Sequence, residues 1–134
     1  MQFYSDLVDC LLEHGIRPFC TLYHWDLPSA LHRHGGWLND AMPEWFANYT
    51  RVVAERLGDR VKDFFTINEP QCILGLGYGS GVHAPGVRYP IGAQVRMGHN
   101  LLKSHGRAVQ VLRECLKDVR VGYAPCANPM IPAT

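Results

Sequence analysis

The chain has 134 residues, a formal net charge of +1, 47% hydrophobic residues and 19% charged residues, as expected of a globular protein with a core of its own. So little net charge leaves no basic surface for nucleic acid and no polybasic patch for a membrane. No apolar run approaches the roughly 20 residues of a membrane span, and Met1 is followed by Gln2, Tyr4, Ser5 and Asp6 instead of a charged and then apolar leader.

Phe3 to His14 carries apolar residues at 3, 4, 7, 8, 11 and 12, a helical stripe that Gly15 ends. Pro18 to Trp25 reads as a short apolar strand. Pro28 to Asn39 is polar and contains glycine, hence loop. Met42, Trp45, Phe46, Tyr49, Val52, Val53 and Leu57 form a second helical stripe, closed by Gly58, whose aromatic residues are expected in the core or at a barrel contact. Val61 to Ile67 reads as a buried parallel strand. Cys72 to Pro90 is long, rich in glycine and without periodicity. Ile91, Val95, Leu101, Leu102, Ala108, Val109 and Leu112 mark a third helix, and Val119 to Ala124 a third strand before Pro125.

The order is therefore α-β-α-β-α-β, an α/β pattern of parallel strands joined by crossovers, each helix covering one face of a sheet. Three strands leave open edges. The chain starts in a helix and stops just after a strand, so residues 1–134 read as one partial domain, truncated at both ends and cut from a larger barrel or sheet.

The chemistry sits at two strand ends. The first is Tyr23-His24-Trp25-Asp26-Leu27-Pro28. The second is Thr66-Ile67-Asn68-Glu69-Pro70, where Pro70 stops the pairing. Ligands of α/β sheets and barrels bind at the carboxyl ends of strands, and Glu69 is a candidate general acid or base there. A Trp face, a His and an Asn beside a carboxylate suit a sugar, whose apolar face stacks on the indole and whose hydroxyls need paired donors and acceptors. Strand alternation sends Asn68 and Glu69 to opposite faces, so both reach one pocket only if the strand twists or ends there.

Metal and nucleotide readings fit less well. Cys10, Cys20, Cys72, Cys115 and Cys126 are odd in number and widely spaced, which predicts free thiols in a reducing, cytoplasmic compartment. Cys10 and His14 share a helix face and His32 and His34 lie close, but no second ligand pair has zinc spacing. Gly79-Ser80-Gly81-Val82-His83-Ala84 fits a dinucleotide fingerprint formally, yet Pro85-Gly86 stands where a helix must start. No metal and no cofactor is expected.

Four blocks occur in order: Thr21-Leu22-Tyr23-His24-Trp25-Asp26-Leu27-Pro28, Gly36-Trp37-Leu38-Asn39, Thr66-Ile67-Asn68-Glu69-Pro70, and Gly77-Tyr78 through His83-Ala84-Pro85-Gly86. Together they resemble the family 1 glycoside hydrolases, the β-glucosidases and their relatives, over essentially the whole chain. The resemblance implies a (β/α)8 barrel, of which this chain supplies about strands three to five with helices two to four. It implies hydrolysis of β-linked glucosides with retention. It assigns the acid/base role to Glu69, a contact with the sugar 2-hydroxyl to Asn68, a glycone hydroxyl to His24 and a place beside the glycone to Trp25. Gln71 stands where many members carry Trp, which points to the aglycone subsite. The family's nucleophile, a Glu in a Thr-Glu-Asn-Gly motif on a later strand, is not in this sequence, nor are the sugar-binding Gln of the early strands and the late Glu-Trp glycone clamp. The isolated segment is therefore expected to be inactive. A non-catalytic sugar-binding product and a phospho-β-glycosidase remain the alternatives.

Overall fold

The computed structural model describes residues 1–127 and 131–132 and holds one three-stranded parallel sheet, its strands side by side in chain order. Helix α1, Gln2–Glu13, leads into strand β1, Phe19–Tyr23. Gly15 follows α1 with φ +70, a backbone that only glycine adopts without strain. Its N–H and that of Ile16 bond back to the Leu12 and Leu11 carbonyls and end the helix. Next come α2, Ser29–Arg33, a 3₁₀ turn at Gly36–Leu38, and α3, Met42–Leu57. Strand β2 is Asp63–Asn68, α4 is Pro70–Cys72 and continues into a π-helical stretch Ile73–Gly79, α5 is Ile91–Cys115, and β3 is Arg120–Ala124. The expected α/β alternation is observed.

Two stretches that read as loop are partly helical. Pro28 to Asn39 holds α2 and the 3₁₀ turn, and Trp37 within it is fully buried. The buried Asn100 of α5 donates its amide to the Trp37 and Asn39 carbonyls at 2.9 and 3.3 Å, fixing that turn to the core. Cys72 to Pro90 opens with the π-helical turns. Pro70 both ends the strand and starts the helix, because its missing N–H costs nothing at a first helical position. A Cβ on Gly77 would stand 2.9 Å from the Ala84 carbonyl, so glycine lets the following loop fold back onto those turns.

The core lies between the sheet and the helices α3 and α5. Met42, Phe46, Val53, Ala54 and Leu57 of α3 are buried, as are Met97, Leu101, Ala108 and Leu112 of α5. Of the residues expected to mark this helix, Leu101, Ala108 and Leu112 are buried, whereas Ile91, Val95 and Leu102 are exposed. In α3 the aromatic residues divide: Phe46 is buried and Trp45 packs against the core, whereas Tyr49 is 46% exposed and donates its hydroxyl to the Leu22 carbonyl at 3.0 Å. Helix α1 buries only Val8 and leaves Phe3, Tyr4, Leu7 and Leu12 exposed, so it does not cover a face of this sheet.

Asp63, at the start of β2, lies in register with Phe19 of β1 and Arg120 of β3. Arg17 donates Nε and Nη2 to its two carboxylate oxygens, each at 2.7 Å, and Arg120 donates through the same pair of nitrogens from the other side. These hydrogen bonds, Arg120 first and Arg17 next, hold the Asp63 carboxyl well below the usual carboxylate range. A carboxyl depressed in the folded state contributes stability above its unfolded pKa and loses it as pH falls toward the folded one. Thermal melts of the complete protein that carries this chain should therefore show Tm declining below about pH 4. Asp63→Asn should lower Tm at neutral pH and flatten that acid limb; an unchanged limb would refute the role of the fork.

Candidate active site

The carboxyl ends of β1 and β2 are cross-braced. Trp25 follows β1 with φ 82, a backbone that costs a bulky residue about 1–3 kcal/mol. A relay holds it there. The fully buried Trp37 donates Nε1–H to the Tyr23 hydroxyl at 3.3 Å, and that hydroxyl donates to the Trp25 carbonyl at 3.0 Å. Burial pushes the Tyr23 phenol up to about 12, against the lowering effect of the Trp37 bond, so it remains a donor. The indole of Trp25 then crosses to the next strand, donating Nε1–H to the Asn68 carbonyl at 3.0 Å.

Asn68 ends β2, and its side-chain nitrogen lies 3.3 Å from His24 Nε2. The amide donates there when the imidazole carries its proton on Nδ1. The ring of His24 is 5.3 Å from that of Trp25, and His83, from the loop after the π-helical turns, is 5.2 Å from the indole on a 34° tilt. His24, Trp25 and Asn68 thus form one connected group, with His24 exposed and the other two half-buried.

Glu69 takes a left-handed backbone, φ 41 and ψ 67. The alternation of β2 therefore stops at Asn68, and the pairing with β3 is already irregular between Phe65 and Asn68. The Glu69 N–H still donates to the Ala124 carbonyl of β3 at 2.8 Å, while its own carbonyl accepts the Cys72 N–H at 2.9 Å. The half-buried carboxylate therefore leaves the backbone from a fixed turn between β2 and α4. The Cys72 thiol sits beside it. Burial, and after it the neighbouring Glu69 carboxylate, raise the thiol's pKa and favour its neutral form.

Gln71 is exposed and donates Nε2–H to the Cys126 carbonyl at 2.7 Å, tying the residue after Pro70 to the segment leaving β3. One of its amide hydrogens is thus spent within the protein. Behind the sheet ends, Thr66 Oγ1 lies 2.7 Å from His105 Nδ1, and the His105 ring is 5.2 Å from that of Tyr123. Burial lowers the His105 pKa and keeps its ring neutral. No group of three or more metal-ligating side chains occurs among the described residues, and no helix among them is long and apolar enough to cross a membrane.

His24, Trp25 and Asn68 thus come together at two adjacent strand ends, with Glu69 the next residue after Asn68 and Gln71 set toward the exit of β3. Sequence reasoning did not assign roles to Tyr23, Trp37 or His83. The first two orient Trp25 from behind, and a signal existed in their type: a buried Tyr or Trp must find a hydrogen-bond partner.

The sequence model described as glycosyl hydrolase family 1 matches residues 1–134. Beta-glucosidase A of Thermotoga maritima is 52% identical over 122 residues, covering 91% of this chain and 27% of the relative. Beta-glucosidase 1B of Phanerodontia chrysosporium is 50% identical over 133 residues, covering 91% of this chain and 25% of the relative. The structure of the Thermotoga maritima beta-glucosidase in complex with deoxynojirimycin superposes with a TM-score of 0.94 at 49% identity, over 99% of this chain and 30% of that one. The chain thus spans between a quarter and a third of the length of these relatives. Its three parallel strands and their helices are part of a (β/α)8 barrel, and the chain belongs to glycosyl hydrolase family 1.

Proposed function

We propose that this chain is the acid/base-bearing segment of a retaining β-glucosidase, a partial catalytic barrel domain over residues 1–134 whose substrate is a β-linked glucoside. One observation carries the reading. Glu69 stands in a left-handed turn at the carboxyl end of β2, one residue after an Asn that contacts His24 and accepts from Trp25. Family membership supports it, as do relatives named as beta-glucosidases and solved with sugar-like inhibitors. Free cysteines throughout the described residues favour a reducing, cytoplasmic setting.

Retaining hydrolysis needs two carboxyl groups about 5–5.5 Å apart. One attacks the anomeric carbon while the other protonates the departing oxygen. In the second step the same acid, now ionised, takes a proton from the water that displaces the sugar from the enzyme. Glu69 has the second role. Asn68 holds the 2-hydroxyl, a contact that strengthens at the transition state, His24 holds a glycone hydroxyl, and Trp25 lies beside the ring. The nucleophile comes from a part of the barrel outside this sequence. The isolated 134-residue chain should therefore show no active-site-dependent hydrolysis of an aryl β-glucoside; substantial turnover by the purified segment would contradict this.

In the complete enzyme, replacing Glu69 by Ala should slow glucosides with poor leaving groups by about 10²–10⁴-fold. Those with good leaving groups should keep their glycosylation rate. Azide, which needs no general base, should rescue the second step and yield a β-glucosyl azide. Equal slowing of every substrate with no azide product would remove Glu69 from this role.

Gln71 lines the leaving-group subsite in this reading. It keeps its carbonyl oxygen and one N–H for a polar aglycone once the other N–H is bound to Cys126. Gln71→Trp should favour an aryl glucoside over cellobiose by a few-fold, the size of one aromatic contact of about 1 kcal/mol. Steady-state kinetics on the two substrates check this, and an unchanged ratio would refute it.

A further inference from the structure

We infer that His83 is a positioning residue for the glycone platform, its ring lying against Trp25 and fixing the indole that His24 and Asn68 flank. The inference rests on the proposed function and extends it to a residue on a different loop. Three contacts define where the indole sits: Nε1–H to the Asn68 carbonyl, the His24 ring at 5.3 Å and the His83 ring at 5.2 Å. The single indole donor is spent on Asn68, so His83 acts through its ring face. A 34° tilt at that centroid separation lies within the range of aromatic contacts.

The loop that presents His83 is held firmly enough for this. The His83 N–H donates to the Leu76 carbonyl at 3.1 Å, and its own carbonyl accepts the Gly86 N–H at 2.8 Å. The Tyr89 N–H donates to the Tyr78 carbonyl at 2.7 Å, and Arg88 Nε to the Ser80 carbonyl at 3.0 Å. Gly77 admits the Ala84 carbonyl where a side chain would exclude it. The buried Tyr78 and Ile73 anchor the π-helical turns from which the loop departs. His83 itself is half-buried. The loop therefore transmits the position of α4 and the π-helical turns to Trp25, which hangs from a strained backbone and depends on side-chain contacts for its orientation.

A residue that orients the glycone platform affects every substrate alike, whatever its leaving group. The test is steady-state kinetics of the complete protein with methyl, 4-nitrophenyl and glucosyl β-glucosides, together with inhibition by deoxynojirimycin. His83→Ala should lower kcat/KM by roughly three- to tenfold, by one common factor for all three substrates, and weaken the inhibitor by the same factor. His83→Gln, which retains a polar side chain but no ring, should behave as His83→Ala. His83→Phe, which restores the ring and removes the nitrogens, should recover most of the loss. A loss that varies with the leaving group, failure of His83→Phe to rescue where His83→Gln folds, or unchanged constants in His83→Ala would each overturn the inference while leaving the proposed function intact. Absence of β-glucoside hydrolysis by the unsubstituted complete protein would instead overturn the proposed function, and this inference with it.

Discussion

The carboxylate of Asp63 holds the three strands in step. It is almost inaccessible to solvent, and two guanidinium forks, from Arg17 ahead of β1 and Arg120 of β3, bond it from either side. A buried charge is tolerated only when its lone pairs are filled, and here the filling spans the whole sheet. From these starting ends β1 and β2 keep one register along their length, and β2 and β3 keep theirs as far as Phe65 opposite Gly122. With Phe19 and Asp63 side by side, Tyr23 arrives opposite Ile67, whereas an irregularity after Phe65 brings Asn68 opposite Ala124. A slip of one residue would turn every side chain of the slipped strand to the other face. The alignment of the β1 and β2 carboxyl ends is thus set at the opposite end of the sheet, the usual division in barrels between a face for stability and a face for chemistry.

Three non-glycine residues among those described have positive φ, Trp25, Glu69 and Asp118, and the first two lie at the candidate site. Each of those two is held by contacts that cross to another strand or helix. Trp37 and Tyr23 grip the Trp25 carbonyl, the indole bonds across to Asn68, and Glu69 bonds to Ala124 of β3 and to the turn that starts α4. Strain that would be lost in an isolated loop persists because the neighbouring strand ends over-determine it. One consequence concerns Asn68 and Glu69. As consecutive residues of a continuing strand they would face opposite ways. The left-handed turn at Glu69 ends the strand between them and frees the carboxylate from that alternation.

Much of this was legible in the sequence, for physical reasons that differ by element. The three strands are short apolar runs and α3 has strong periodicity, so burial dictates both. The Asn-Glu-Pro end of β2 could be read because proline cannot pair. The stretch from Pro28 to Asn39 misled, because a five-residue helix shows no period and a single Trp in polar company gives little sign that it is fully buried. Ile73 to Gly79 misled because glycines at 75, 77 and 79 argue against any helix, and a π-helical turn has no periodicity that a 3.6-residue pattern detects. In α5 the apolar residues divide, since Leu101, Ala108 and Leu112 are buried while Ile91, Val95 and Leu102 are exposed. The Asp63 fork was invisible, being a contact between residues far apart in the chain, and of the Tyr23 relay only the need of a buried Tyr and Trp for hydrogen-bond partners could be read.

Those outward apolar residues show how the segment depends on what surrounds it. Phe3, Tyr4, Leu7, Ile91, Val95 and Leu102 are exposed on the helices, and Phe19 is exposed on β1, 6.1 Å from the ring of Phe65 in a stacked pair. Both outer strands have an edge that pairs with nothing among the described residues. In a closed barrel, neighbouring helices cover such faces and neighbouring strands pair such edges. Closure would serve the proposed chemistry by the same act. In the proposed reading the acid just after β2 works only opposite a nucleophile about 5–5.5 Å away, and the family resemblance puts that residue on a later strand. In that reading burial of the outer apolar faces and approach of the second carboxyl are one event, so the energy that closes the barrel also assembles the proposed pair.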